Sequence, residues 1–138
     1  MPDSWSLHPQ LQRDTVEIGD LPLCRVLASL DANYPWLILV PRLPGLVDVT
    51  DLDAAAQMQI TTEIDLTARA LKAATSCSKL NVAALGNMVS QLHVHIIART
   101  TTDAAWPRPV WGAVPAREYA PGKLKSFTDD IAHKIGLK

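Results

Sequence analysis

Thiols, long apolar runs and an excess of either charge are all scarce in this chain, and each scarcity removes a class of function. Only two cysteines, Cys24 and Cys77, occur among 138 residues, far apart and with no second thiol beside either. Neither a Cys-x-x-Cys redox pair nor a thiolate zinc site can be assembled locally, so both read as reduced, buried, small hydrophobic side chains. The longest apolar run, Trp36-Leu37-Ile38-Leu39-Val40, falls far short of the roughly 20 residues a helix needs to cross a bilayer, which excludes a helical span. Thirteen basic against fourteen acidic side chains leave a net charge of -1. That supplies no broad positive field of the kind non-specific nucleic-acid binding relies on, so a nucleic-acid partner is not expected. Met1 to Ser6 contain no basic region followed by an apolar run, and the cytoplasm is the expected compartment. The Gly-x-x-x-x-Gly-Lys spacing of a phosphate loop is also missing, which removes kinase and NTPase readings of that type.

What is present is the composition of one packed domain over residues 1–138, with 48% hydrophobic and 20% charged residues and neither an internal repeat nor a low-complexity tract. A short irregular or one-turn helical lead-in carries Trp5, Leu7 and Leu11. From Thr15, Val16 and Ile18 alternate with polar neighbours, Gly19-Asp20 reads as a tight turn, and Leu23 to Leu30 resumes as a second strand. Trp36 to Val40 is apolar on both faces and stopped by Pro41, as in a central strand. Leu52, Ala56, Ile60, Ile64, Ala68 and Leu71 recur at spacings of four or three through a stretch without Pro or Gly, which predicts a long helix to about Thr75 with Thr50 as its N-cap. Leu80 to Leu85 and Leu92 to Ala98 read as two further strands around Gly86-Asn87, and Leu124, Phe127, Ile131 and Ile135 as a C-terminal helix over about 121–136. Too few helices separate the strands for parallel crossovers. The expected class is therefore α+β, with a five-stranded antiparallel sheet, one long helix and a C-terminal helix.

The chemically informative stretch is Gln91-Leu92-His93-Val94-His95-Ile96-Ile97. Side chains alternate across a strand, so a carboxamide and two imidazoles share one face while Leu92, Val94 and Ile96 anchor the other in a core. Three chemistries compete for that face. Imidazole titrates near neutrality, and its neutral form can attack an electrophilic phosphorus and later be displaced. His-x-His can also chelate a metal, but a third ligand is needed, and the remaining histidines, His8 and His133, give no reason to place one there; no metal or cofactor is expected. Finally, backbone carbonyls or water can hold both rings in a purely structural polar patch. Elsewhere, Arg42 and Arg99 at strand ends are candidates for phosphate oxygens, Trp36 reads as core, and Trp106 and Trp111 as a cover for the site or a brace for a second subunit.

The run Gly86-Asn87-Met88-Val89-Ser90-Gln91-Leu92-His93-Val94-His95-Ile96-Ile97 resembles the signature of the histidine triad (HIT) superfamily, in which three histidines alternate with apolar residues after a Gly-Gln-Ser/Thr segment. The strand from Trp36 into Pro41-Arg42 and the later Trp106-Pro107 are similar to further family elements, and the likeness runs over about residues 15–112. The resemblance implies a HIT-like fold, a homodimer, and hydrolysis at the α-phosphorus of a nucleotide, with diadenosine polyphosphates or nucleoside phosphoramidates as substrate classes. It assigns His93 as the nucleophile that forms a nucleotidyl-histidine intermediate, and His95 as a hydrogen-bonding partner of the reacting phosphate. Asn87 falls on a phosphate-side glutamine, and Asp31, with Asn33 as the second choice, on the ribose-binding residue. Leu7, Leu11 and Leu30 are the candidate walls for the base. Gln91 stands where the first histidine belongs. A carboxamide there can donate and accept hydrogen bonds but does not titrate. The alternative is thus a nucleotide-binding or sensing protein with little turnover.

Overall fold

The computed structural model describes residues 4–137. The chain opens with a short helix α1 (Pro9–Asp14), then β1 (Thr15–Asp20), β2 (Cys24–Ser29), β3 (Trp36–Pro41), the long α2 (Ala54–Thr75), β4 (Lys79–Ala83), β5 (Val94–Arg99) and α3 (Lys123–Lys134). Every pairing is antiparallel and the sheet order is β1-β2-β3-β5-β4. The expected α+β class and five-stranded antiparallel sheet are therefore observed. The apolar run of β3 is central, as its two-sided hydrophobicity requires.

Strand register divides the side chains cleanly between two faces. Ala28, Leu37, Ile96 and Val82 form one cross-strand row, and Leu27, Ile38, His95 and Ala83 form the next row on the opposite face. The first face is the main core: Cys24, Val26, Leu37, Leu39, Val94, Ile96 and Ala98 pack against Ile60, Ala70 and Leu71 of α2 and Ile131 of α3. Cys24 and Cys77 are both buried free thiols. The second face is covered in two separate patches. Leu11 of α1 and the lead-in residues Trp5 and Leu7 pack on Leu27, Ile38 and Val40, while Ala105, Val110 and Ala113 of the segment after β5 pack on Tyr34 and Ile97. The gap between these patches is where the histidines emerge.

Two local expectations are corrected. Gly19 and Asp20 belong to β1, and the reversal falls at residues 21–23. Gly19 packs closely on Leu137, whose Cδ1 would lie 2.9 Å from a Cβ at this position and would have to turn aside, and the register shifts between Glu17 and Gly19 as in a bulge. The cap of α2 is Asp53, not Thr50; its carboxylate accepts from Ala56 N at 2.8 Å, whereas Val49–Asp51 form a 3-10 turn in which Asp51 is already engaged with Val47 N and Asp48 N. The buried stripe of α2 also contains Glu63, 1% exposed, which accepts from Leu23 N and Cys24 N at 2.8 and 2.7 Å and so ties the helix to the start of β2. Hydrophobic periodicity cannot see this contact, because the partner is backbone.

Candidate active site

A cavity of about 830 Å³ opens between the two patches on the second face of the sheet. His93, one residue before β5, and His95 within it both line this cavity, with ring centroids 4.8 Å apart and planes at 70°. The two imidazoles thus share one face, as alternation along the strand requires. Each residue is only 6% exposed, so the rings are recessed rather than displayed.

Two hydrogen bonds assign opposite tautomers to these adjacent rings. His93 Nδ1 lies 2.6 Å from the Gln91 carbonyl oxygen, and a carbonyl only accepts, so Nδ1 carries the proton and Nε2 keeps its lone pair. His95 Nδ1 receives the indole N–H of Trp36 at 3.0 Å, and an indole only donates, so Nδ1 is bare and Nε2 carries the proton. Among the described residues neither Nε2 has a protein partner, and neither is sealed from the cavity. The site thus offers one basic nitrogen and one N–H donor side by side. That is a set able to attack an electrophile and to stabilise the oxygen it pushes off.

A model of the HIT domain family matches residues 10–102. The chain belongs to the histidine triad family. It is 56% identical to a histidine triad protein from Bradyrhizobium japonicum, with 96% of this chain and 99% of that one covered and a TM-score of 0.95. Histidine triad proteins from Sinorhizobium meliloti (41% identity, coverage 94% and 96%, TM-score 0.92) and Marinobacter aquaeolei (36%, 97% and 98%, 0.93) have the same structure. No curated protein matches the chain. HIT proteins are in general nucleotide-binding proteins, hydrolases or transferases.

This HIT protein brings some of the expected residues into the cavity and not others. Asn87, Asp31, Leu11 and Leu30 line it with the two histidines. Asp31 Oδ1 is saturated by Asn33 N, Asn33 Nδ2 and Arg117 N, leaving Oδ2 without a protein partner among the described residues. Asn33 is outside the cavity lining, and its amide bridges Asp31 to the Pro115 carbonyl. Gln91 is also outside: Oε1 accepts from His8 N at 2.9 Å and Nε2 donates to Ser6 O at 2.9 Å, so its carboxamide staples the lead-in to the β4–β5 connection. Arg42 turns back to the Leu21 and Pro22 carbonyls, at the end of β3 remote from Trp36. Arg99 is 1% exposed in a bidentate pair with Asp103, and Trp106 stacks against that guanidinium, so neither reaches the cavity.

One lining residue, Trp36, escapes the sequence reading, whereas Trp111 lies beside the histidines, where a cover for the site is one of the two roles expected of it. Trp36, expected as plain core, donates to His95; Trp111 stands 5.1 Å from the His95 ring and 5.9 Å from Trp36. The strand register, which sets Ile38 opposite His95 and Trp36 opposite Ile97, is what brings the indole to the imidazole. Pairing of that kind is not encoded in either strand alone.

Burial, and next the neighbouring His93, push the His95 pKa down from 6.5 to about 4. The unfolded chain therefore binds a proton that the folded one refuses between those values. The contribution of His95 to stability is complete above about pH 6.5 and declines as the pH falls toward 4, by at most about 3 kcal/mol. Urea unfolding at pH 7 and pH 5 checks this. The midpoint of the native protein is expected to drop more than that of His95→Gln, and equal drops would contradict it.

Proposed function

We propose that the protein is a nucleotide hydrolase that cleaves a nucleoside phosphoramidate at the α-phosphorus through a covalent nucleotidyl-His93 intermediate. The observation that carries this reading is the pair of complementary tautomers, a free Nε2 lone pair on His93 beside a free Nε2–H on His95, at the floor of one cavity. His93 Nε2 bonds to phosphorus as the P–N bond of the substrate breaks; the amine nitrogen takes that electron pair together with a proton from solvent and leaves as the neutral amine. The positive charge that develops on the ring is stabilised by the Gln91 carbonyl at Nδ1. His95 Nε2–H donates to a phosphate oxygen or to the bridging atom. Water then attacks phosphorus and loses a proton to solvent, the P–N bond to His93 breaks, and its electron pair returns to Nε2 as the nucleoside monophosphate leaves.

Asp31 Oδ2 accepts from the ribose hydroxyls, Leu11, Leu30 and Ile38 hold the base, and Asn87 donates to the phosphate. Charge decides between the two substrate classes. The ionised lining residues are Arg13 and Arg117 against Asp14, Asp31 and Glu118, and Trp36 and Trp111 wall the His95 side. A departing nucleoside triphosphate, as from diadenosine tetraphosphate, would carry a large negative charge into a cavity with more carboxylates than cations. An amine leaving group carries none. Cytoplasmic residence fits the two free buried thiols, and pairing into a homodimer fits the open edge of β4, where Val82 is half exposed.

Release of AMP from an adenosine phosphoramidate and from diadenosine tetraphosphate, with mass spectrometry of enzyme quenched in alkali, tests the reading. The expected result is faster cleavage of the phosphoramidate and a nucleotidyl adduct on the peptide containing His93. Tight AMP binding with no release from either compound would make the protein a nucleotide sensor, and absence of both would overturn the proposal.

A further inference from the structure

Among the described residues Trp36 is the only group that hydrogen-bonds His95, and it thereby decides which nitrogen of that ring faces the cavity. We propose that Trp36 is a positioning residue whose indole N–H fixes His95 as a neutral Nε2–H donor, so that this ring serves the reaction as a hydrogen-bond donor and not as a proton carrier. The role rests on the hydrolase reading above.

Three observations support it. The Trp36 Nε1–H to His95 Nδ1 bond is 3.0 Å long, and an indole has no lone pair with which to accept. A second proton on His95 would therefore set N–H against N–H inside a recessed site. The indole is not free to turn away: it is held in β3 opposite Ile97, with Tyr34 at 6.3 Å and 67° and Trp111 at 5.9 Å and 90° against its ring. Lastly, His93 takes its tautomer from a backbone carbonyl, a partner that no side-chain substitution removes, whereas His95 depends on one side chain. The lowered His95 pKa agrees with this arrangement.

The groups around His95 allow no substitute for the indole. Its neighbours are His93 just before β5, the cross-strand Ala83 of β4, Ile38 and Trp36 of β3, and Trp111 of the following loop. The charged groups sharing the cavity are Arg13 and Asp14 on α1, Asp31 before β3, and Arg117 and Glu118 in the segment before α3. None of them hydrogen-bonds His95.

Nitrogen-15 NMR of the unmodified protein is the first test. His95 Nδ1 is expected to show the shift of an unprotonated nitrogen, unchanged between pH 7.5 and 5 in order-of-magnitude terms set by its low basicity. In Trp36→Phe the same ring is expected to mix tautomers and to titrate at higher pH. AMP release from the phosphoramidate falls roughly 3- to 10-fold, and an acidic limb is added to its pH profile. Trp36→His, which restores a ring N–H, recovers part of the rate. Observation of His95 as the Nδ1–H tautomer in the native protein overturns the inference whether or not any variant folds. So does a Trp36→Phe pH profile identical to that of the native enzyme. The NMR result is independent of turnover, so a fixed tautomer without AMP release would count against the hydrolase and not against Trp36.

Discussion

Replacing His93 with alanine is expected to lower AMP release on the order of 10⁴-fold or more while leaving AMP bound within several-fold of its native affinity. The asymmetry follows from where the ring is attached. Among the described residues the single hydrogen bond of the His93 ring is the local one to the Gln91 carbonyl two residues away, so its removal breaks no long-range tie. The groups proposed to hold a nucleoside, Asp31, Leu11, Leu30 and Ile38, lie on other elements and keep their positions. What is lost is the one nitrogen in the cavity with a free lone pair. His95 cannot substitute, because its own bare nitrogen is covered by the Trp36 indole. Steady-state kinetics with isothermal titration of AMP separates the two effects. A variant that kept a tenth of the native rate would show that bond cleavage does not pass through His93. Loss of AMP binding in parallel with rate would mean that the ring holds ligand and that the kinetic loss says nothing about a nucleophile.

Much of this site could be read from the chain because it depends on a property local to one strand. Alternation places His93 and His95 on the face opposite Val94 and Ile96, and no partner strand needs to be known for that. The same holds for β3, whose apolar run demands cover on both sides. The misplaced residues fail for a common reason, which is that each is defined by something distant in sequence. Gln91 is fixed by Ser6 and His8, Arg42 by Leu21 and Pro22, Glu63 by Leu23 and Cys24, and Asn33 by Pro115. In every case one partner is a backbone group, which leaves no trace in residue type. The expected cap Thr50 lies inside a 3-10 turn closed by the Asp51 carboxylate, so α2 is capped three residues later, by Asp53. Arg99 misleads in another way. A basic residue at a strand end is usually solvated, and only the tertiary fold shows that this one is enclosed.

That enclosure carries the second large effect: Asp103→Ala is expected to destabilise the fold by about 3–5 kcal/mol. The Arg99 guanidinium is held by Asp103 at 2.7 and 3.1 Å, by Asn81 Oδ1 at 2.8 Å and by the Arg108 carbonyl at 2.8 Å, between the rings of Tyr34 and Trp106. The Asp103 carboxylate also accepts from the backbone N–H groups of Thr100, Ala105 and Trp106. Its removal would strand a buried cation and those three donors together, and the desolvation already incurred has nothing left to offset it. The hydrogen bond from Arg99, above all, draws the Asp103 pKa down from 3.8 to about 2. The unfolded carboxylate thus binds protons more readily than the folded one. Its stabilisation is complete above about pH 4 and is lost as the pH falls toward 2, a window below that of His95. The exposed pair Arg69–Asp65 on α2 provides the control: Asp65→Ala is expected to cost less than about 1 kcal/mol despite a similar N–O distance of 2.9 Å. Urea denaturation of both variants at pH 7 decides the matter. The double variant Arg99→Met/Asp103→Ala, which removes the stranded cation, is expected to regain part of the loss. Equal costs for Asp103→Ala and Asp65→Ala would mean that the pair is not enclosed in solution. The same loop carries Trp111 to the cavity, so the loosened variant should also bind substrate less tightly, with KM rising before kcat falls.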